Sequence, residues 1–257
     1  MESSRTFRVI GATRAPRPQA GPSRPWLPDL KVLGVGFLLA QVFVVKGCSW
    51  VAWFLSSLVH ELGHTIAGLL VGLPSFPAIR VDGHAATIHG EFSPVVVLLA
   101  SAALLGCAAH LFRNTEWRKS AIALAAVVPV QWLLAFGGGR ETFCLLAGHL
   151  GELAFATVFL VRSLDHSEED GTAIGRLLEA TFALYLVCHN ATLFFGLATS
   201  AAAVRAYTGN GSFGLENDLL RVAGGTLGTP LTTVAVLMLL PTLAAPIVGV
   251  VIARCRT

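Results

Sequence analysis

Long uncharged apolar runs dominate the hydrophobic pattern of this chain. Between Val32 and His60 the only formally charged residue is Lys46, and between Leu62 and Ile79 there is none. Three further runs without Asp, Glu, Lys or Arg cover residues 92–112, 120–139 and 222–253. About 20 apolar residues allow an α-helix to cross the hydrocarbon core of a bilayer, so these runs predict transmembrane helices.

The pattern as a whole predicts an all-α polytopic membrane protein with six or seven transmembrane helices. Lys46 and Gly47 separate a short first span from the second, and Pro230, Pro241 and Pro246 are expected to kink the last one. The spans are predicted at about residues 31–46, 49–73, 93–112, 120–136, 142–162, 173–203 and 222–253.

The segment at about residues 74–92 does not follow the helical pattern. It contains prolines, glycines and short alternating runs on either side of Asp82-Gly83, and Asp-Gly in that setting is a hairpin signal. We therefore expect a hairpin or re-entrant loop here. Irregular backbone at membrane depth is tolerated only where protein or a water-filled cavity covers it, so this segment is a candidate for contact with a substrate.

The composition is that of a membrane protein, and the amino-terminal segment differs from the rest of the chain in composition. Of 257 residues, 54% are hydrophobic and 13% charged, whereas about 25% are charged in ordinary soluble domains. Residues 1–30 are rich in arginine and proline, which predicts a flexible basic tail. The tail fits a cytoplasmic flank that obeys the positive-inside bias better than a nucleic-acid-binding segment. We expect residues 31–257 to form the transmembrane domain, located in the cell membrane.

The strongest chemical signal is an HExxH motif inside the second predicted span. Residues i and i+4 share one face of a helix, so His60 and His64 can present their imidazoles to one metal ion. Glu61 lies beside them, where its carboxylate can take a proton from a zinc-activated water. Ionisable side chains in the middle of a span are costly and are usually functional. The motif therefore predicts a Zn²⁺ site.

An HELGH helix followed by a Gly/Pro-rich hairpin and further apolar helices resembles the site-2 protease family of intramembrane metallopeptidases. The resemblance implies a zinc ion bound by His60 and His64, with Glu61 as the general base and transmembrane proteins as substrates. The family takes its third ligand from an aspartate in an Asn/Pro-containing segment that ends in Asp-Gly, much later in the chain. Here Asp82-Gly83 is too close to the motif, and Asp170-Gly171 lies in a polar loop. The chain is therefore either a divergent member or uses another type of third ligand.

The fifth predicted span offers the best substitute for that third ligand. His149 and Glu152 are three residues apart on one helical face, within a run that is otherwise uncharged. Gly148 and Gly151 thin the helix at this point, so it can approach the motif helix closely. A catalytic zinc site needs three protein ligands, and either residue can supply the third while the other orients it. The alternative is a polar contact between helices without metal.

Polar residues in the sixth span and in the hairpin are weaker candidates. His189 and Asn190 lie near the middle of the sixth span, where they are expected to hold a ligand or the substrate backbone by hydrogen bonds. His84 and His89 lie in the predicted hairpin, and loop histidines near a polar interface usually do not bind metal.

The function expected from these features is an intramembrane zinc metallopeptidase that hydrolyses peptide bonds of transmembrane substrates in the lipid bilayer. A metal-ion transporter is one alternative, because intramembrane His/Glu pairs also line ion pathways. A catalytically inert relative that binds membrane partners is another. Transporters usually place ligands along a path and often have internal repeats, and neither feature is visible in the sequence.

Overall fold

The computed structural model describes residues 27–44, 49–79, 85–164, 172–209 and 217–256. The Asp82-Gly83 turn, His84 and most of the predicted basic tail lie outside these ranges. Within them the chain forms helices and one two-stranded sheet. The helices are α1 Leu27–Val44, α2 Ser49–Leu70, α3 Pro94–Phe112, α4 Arg118–Phe136, α5 Arg140–Leu164, α6 Ala173–Thr199, α7 Ala201–Gly209, α8 Asp218–Leu220 and α9 Leu231–Arg256.

Five of these helices are long and apolar enough to cross a bilayer, which indicates a membrane-embedded protein. They are α3, α4, α5, α6 and α9. In the most apolar part of α5, 56% of the residues are buried, whereas in α3 and α4 only 17% are. The α5 helix is therefore central to the bundle, and α3 and α4 present most of their apolar side chains outward. Helices α1 and α2 occupy the positions of the first two predicted spans.

The motif helix α2 packs directly against α5 through glycines. A Cβ atom added to Gly151 would lie 2.6 Å from the Cα atom of Gly63, and one added to Gly63 would lie 2.3 Å from the carbonyl oxygen of Ala147. Neither position has room for a side chain. Small residues allow this close approach between membrane helices, and here they bring the face of α5 that carries Gly148 and Glu152 next to the motif.

A tight turn ends α2 and leads into the hairpin. Gly72 has a φ angle of 89°, in the left-handed region that favours glycine, and the Leu73 amide donates to the Gly68 carbonyl at 2.8 Å. Strands β1 Ser75–Ile79 and β2 Ala85–His89 follow and pair in antiparallel fashion. They occupy the segment for which the sequence predicts a hairpin, and their contacts with α2 place them beside the motif.

In the carboxyl-terminal third, the helices are shorter and more often interrupted than the sequence pattern predicts. The expected span at 173–203 ends at Thr199, and the separate helix α7 follows. The expected span at 222–253 begins instead as a π-helical segment, Arg221–Thr226, and is interrupted before α9. Gly228 at this break has a φ angle of 58°, and Pro230 follows it, so a continuous α-helix is disfavoured there. Pro241 and Pro246 do lie inside α9, as expected.

Candidate metal centre

His60 and His64 lie on one face of α2, one turn apart. Their ring centroids are 4.7 Å apart, and the rings meet edge to face at 72°. Helical spacing alone gives this proximity, because residues i and i+4 are neighbours on the helix surface. His64 is buried and His60 is partly open to the adjoining cavity.

The surroundings of His64 decide which of its nitrogens faces the cavity. Its Nδ1 lies 2.7 Å from the carbonyl oxygen of Cys144 on α5. A carbonyl only accepts hydrogen bonds, so Nδ1 carries the proton and donates. In the neutral imidazole, Nε2 then keeps its lone pair and is available to a metal ion. Metal-binding histidines usually form a hydrogen bond of this kind at the outer nitrogen, which is the ring nitrogen that does not bind the metal.

Asp218, the first residue of α8, lies against both motif histidines. Its Oδ2 is 3.0 Å from His64 Nε2 and 3.4 Å from His60 Nε2, and the three ligand atoms all lie within 4.8 Å of one another. Tetrahedral ligands that each bind zinc at about 2.0–2.1 Å are separated by about 3.3 Å. The two distances from Asp218 bracket that value, so this carboxylate lies where a third zinc ligand would lie.

The charge state of Asp218 also suits a metal ligand. Burial alone would raise the pKa of its carboxyl group, but the adjacent Nε2 atoms of His60 and His64, which face it across the position of a shared proton or metal ion, outweigh burial and hold the pKa well below its usual range. The group is therefore a carboxylate near neutral pH, which is the form that coordinates metals.

Two neighbours of Asp218 fix its position. The Asn217 side chain donates from Nδ2 to the carbonyl oxygen of Tyr207 at 2.7 Å, which ties the start of α8 to α7. Leu219 is fully buried in a core cluster with Phe194. One side of this short segment is thus anchored in apolar core, and the other side presents the carboxylate to α2.

Gly148 on α5 provides the space that the two imidazoles occupy. A Cβ atom at this position would lie 2.3 Å from His60 Nε2 and 2.5 Å from His64 Nε2. Both distances are far shorter than a van der Waals contact. The absence of a side chain at residue 148 is therefore a requirement of this arrangement of histidines.

Glu61 is held by the hairpin. The Thr87 hydroxyl, on strand β2, lies 2.7 Å from Glu61 Oε2 and 3.0 Å from the Glu61 carbonyl oxygen, and it can donate to either acceptor. The Glu61 side chain is buried, yet it lines the same cavity as the two histidines. Strand β2 thus helps to set where the carboxylate of the motif points.

The fifth-helix residues singled out by the sequence form a buried network on the other side of His60. Glu152 Oε1 lies 3.6 Å from His60 Nδ1, and Glu152 Oε2 lies 3.2 Å from His149 Nδ1. Asn190 donates from Nδ2 to Glu152 Oε2 at 2.8 Å, and its Oδ1 lies 3.0 Å from His149 Nδ1. Both partners of His149 Nδ1 are acceptors, so this nitrogen carries a proton. The group of His60, His149 and Glu152 is close enough for a shared metal ion.

His189, by contrast, contacts neither motif histidine through a hydrogen bond among the described residues. Its ring stacks on Tyr185 with a centroid distance of 5.7 Å, and it lines the cavity on the α6 side. His89 on β2 lines the cavity as well, and its Nδ1 lies 2.7 Å from the Ser75 hydroxyl.

A single cavity of about 910 Å³ joins these groups. It reaches the three residues of the motif, Asp218 and the hairpin, and it extends past Arg140, Glu141 and Arg221 on one side. The volume lies at the upper end of the range for ligand pockets in proteins. The cavity is therefore large enough to hold water beside the histidines.

Asp218 is not apparent as a candidate ligand from the sequence pattern. It lies at the start of a short helix after a polar connection, outside every predicted span, and it is 158 positions from His60. One signal was present: the resemblance implied a late aspartate in a segment that contains asparagine, and Asn217 precedes Asp218, although the proline and the following glycine of that segment are absent here. No family model matches the chain, and no curated protein or solved structure matches it.

Proposed function

We propose that this protein is an intramembrane zinc metallopeptidase. The observation that carries the proposal is the convergence of His60 Nε2, His64 Nε2 and Asp218 Oδ2 at distances that fit tetrahedral zinc, with the Glu61 carboxylate in the same cavity. Two histidines, one carboxylate and an adjacent glutamate are the groups that metal-assisted hydrolysis requires.

Asp218 is the third ligand in this proposal, in place of the fifth-helix residues favoured by the sequence. The Nδ1 atom of His64 is engaged with a backbone carbonyl, so only its Nε2 can bind a metal. Asp218 lies next to that atom and next to Nε2 of His60. Glu152 lies near Nδ1 of His60, so an ion bound there would lack His64.

The chemistry follows from the residues around the site. Bound zinc would supply a Lewis acid that activates water and polarises a carbonyl group. Glu61 takes a proton from the attacking water as its oxygen adds to the peptide carbonyl carbon, and it passes that proton to the leaving nitrogen as the C–N bond breaks. The Thr87 hydroxyl donates to Glu61 Oε2, so the other carboxylate oxygen, Oε1, is the one that transfers the proton.

The surroundings favour a peptide within the membrane as the substrate. The cavity is bordered by α2, α5 and α6, and two of these helices are long and apolar enough to span a bilayer. The β2 strand forms another wall, and an edge strand offers backbone groups to an extended peptide. A transmembrane segment that unwinds locally could enter beside the hairpin.

A metal transporter fits the site less well. Both groups of candidate ligands in the described part of the chain share His60 and therefore lie at one place. A transport path needs ligands at successive depths. An inert relative would have no need for the glutamate of the motif to be held beside the two histidines.

Reconstitution into liposomes separates these alternatives. Vesicles containing the protein, a fluorescently labelled transmembrane peptide and an internal zinc indicator report cleavage and zinc flux together. The proposal expects peptide cleavage that is lost with a zinc chelator, without zinc entry above that of empty vesicles. Zinc entry without cleavage would instead support the transporter.

A further inference from the structure

The Glu152 carboxylate is almost completely buried and has a hydrogen-bond donor for each oxygen. The Ser56 hydroxyl donates to Oε1 at 2.8 Å, and Asn190 Nδ2 donates to Oε2 at 2.8 Å. Relative exposure is 2% for Glu152, 3% for Ser56 and 0% for Asn190. A charge buried to this degree is costly, and the donors around it offset that cost.

The same carboxylate faces the outer nitrogen of a motif histidine. Glu152 Oε1 lies 3.6 Å from His60 Nδ1, just beyond hydrogen-bond distance, and among the described residues no other side chain forms a hydrogen bond or ion pair with that nitrogen. Ser56 precedes His60 by one helical turn, so both residues of α2 reach the same oxygen. His60 Nε2 points the other way, toward Asp218.

From this geometry we infer that Glu152 is a positioning residue that orients His60 toward the metal. It favours the tautomer with the proton on Nδ1, which keeps the lone pair on Nε2. Asn190 and His149 in turn hold Glu152 Oε2 in place. This inference rests on the proposed function, because it assigns a role to Glu152 only if His60 binds metal.

The arrangement around His60 parallels that around His64. Each histidine turns one nitrogen toward Asp218 and the other toward an acceptor on α5: the Cys144 carbonyl for His64 and the Glu152 carboxylate for His60. Carboxylates at the outer nitrogen of ligand histidines raise the basicity of the ligand, and their loss typically weakens metal binding about 10–100-fold.

The test measures zinc affinity of the purified full-length protein in detergent, by competition with a chelating dye. Glu152→Gln preserves the shape of the side chain and removes its charge, and it is expected to weaken zinc binding about 10–100-fold. Asn190→Leu should weaken binding less, because it acts through Glu152. Gln131→Leu is the matched control: it removes another buried polar group, which bonds to Ser101 and to backbone carbonyls away from the histidines, and it should leave the affinity unchanged.

A double-mutant cycle separates this role from a purely structural one. If Glu152 acts through His60, Glu152→Gln should change the residual zinc affinity less than about twofold in the His60→Ala background. An equal loss in both backgrounds, or an equal loss in Gln131→Leu, would overturn the inference. So would zinc binding that survives Asp218→Asn but not Glu152→Gln, because Glu152 would then be a ligand. If the wild-type protein binds no zinc at all, the metal site itself is overturned, and this inference with it.

Discussion

At the scale of single residues, the site depends on which atom of each side chain is available to bind a metal ion. His64 commits Nδ1 to a carbonyl and turns Nε2 toward Asp218, which is 3.0 Å away. His60 also turns Nε2 toward Asp218. The two motif histidines are apparent from their spacing alone. The aspartate depends on the tertiary fold, because a short helix far along the chain brings it to them.

Replacement of Asp218 tests the ligand set directly. Asp218→Asn keeps the size of the side chain but removes the charge. Zinc affinity should therefore fall by more than the roughly 10–100-fold that is typical when a residue that only orients a ligand is replaced. Competition with a chelating dye measures this. Glu141→Gln is the control, because Glu141 borders the same cavity but pairs with Arg221. If Asp218→Asn binds zinc as tightly as the control, Asp218 is not a ligand.

Replacement of Glu61 separates catalysis from metal binding. Glu61→Gln should retain zinc at near the wild-type level and lose hydrolysis by a factor of about 10²–10⁴, the usual contribution of a general base. His60→Ala and His64→Ala should lose hydrolysis and retain only weak residual zinc binding. Elemental analysis and a peptide-cleavage assay report the two properties. Glu179→Gln, which alters an exposed pair with Arg162, serves as the control. Substantial activity in Glu61→Gln would refute the general-base role.

At the scale of secondary-structure elements, three of them meet at the site: the motif helix α2, the glycine-bearing face of α5 and the β-hairpin. The sequence predicts α2 and the hairpin because their signals are local, a helical motif in one case and turn residues between alternating runs in the other. It also indicates that α5 approaches α2, from Gly148 and Gly151. It predicts a kink at Pro230, but the structure has a complete interruption of the helix between Thr226 and Leu231, which the long apolar run does not indicate.

The close approach of α5 makes Gly148 a sensitive position. Gly148→Ala would place a methyl group 2.3 Å from His60 Nε2, so the histidines must move and zinc binding should fall at least tenfold. Zinc titration measures the loss. Gly106→Ala is the matched control, since this α3 glycine has open space around it and should tolerate alanine. Equal zinc affinity in both variants would mean that the histidines are arranged differently.

The hairpin should affect the rate of hydrolysis rather than metal binding. Thr87→Val removes the hydroxyl that lies against Glu61 and should lower kcat about tenfold, the effect of losing a hydrogen bond of roughly 1.4 kcal/mol, with zinc content unchanged. Thr199→Val is the control, because its hydroxyl donates to the Phe195 carbonyl within its own helix, away from Glu61. An unchanged kcat in Thr87→Val would show that the hairpin does not position Glu61.

At the scale of the whole molecule, a polar site lies inside a predominantly apolar bundle. Five helices have the length and apolarity of membrane spans, and the cavity of about 910 Å³ gives water access to the histidines. This combination suits the proposed hydrolysis within a bilayer, because a metal ion and its water would have to be shielded from lipid. Composition predicts the membrane character, but the cavity depends on how α2, α5, α6 and α8 pack together, which no local pattern reveals.

The most direct test of the central claim is hydrolysis of transmembrane peptides in ¹⁸O-labelled water, read by mass spectrometry. The purified protein is incubated with a set of synthetic transmembrane segments, with and without a zinc chelator, alongside Glu61→Gln. The account predicts new peptide termini whose carboxyl groups carry ¹⁸O, and it predicts that chelation and Glu61→Gln each abolish them. Cleavage that persists under chelation and in Glu61→Gln, or zinc-loaded wild-type protein that cleaves none of the segments, would contradict it.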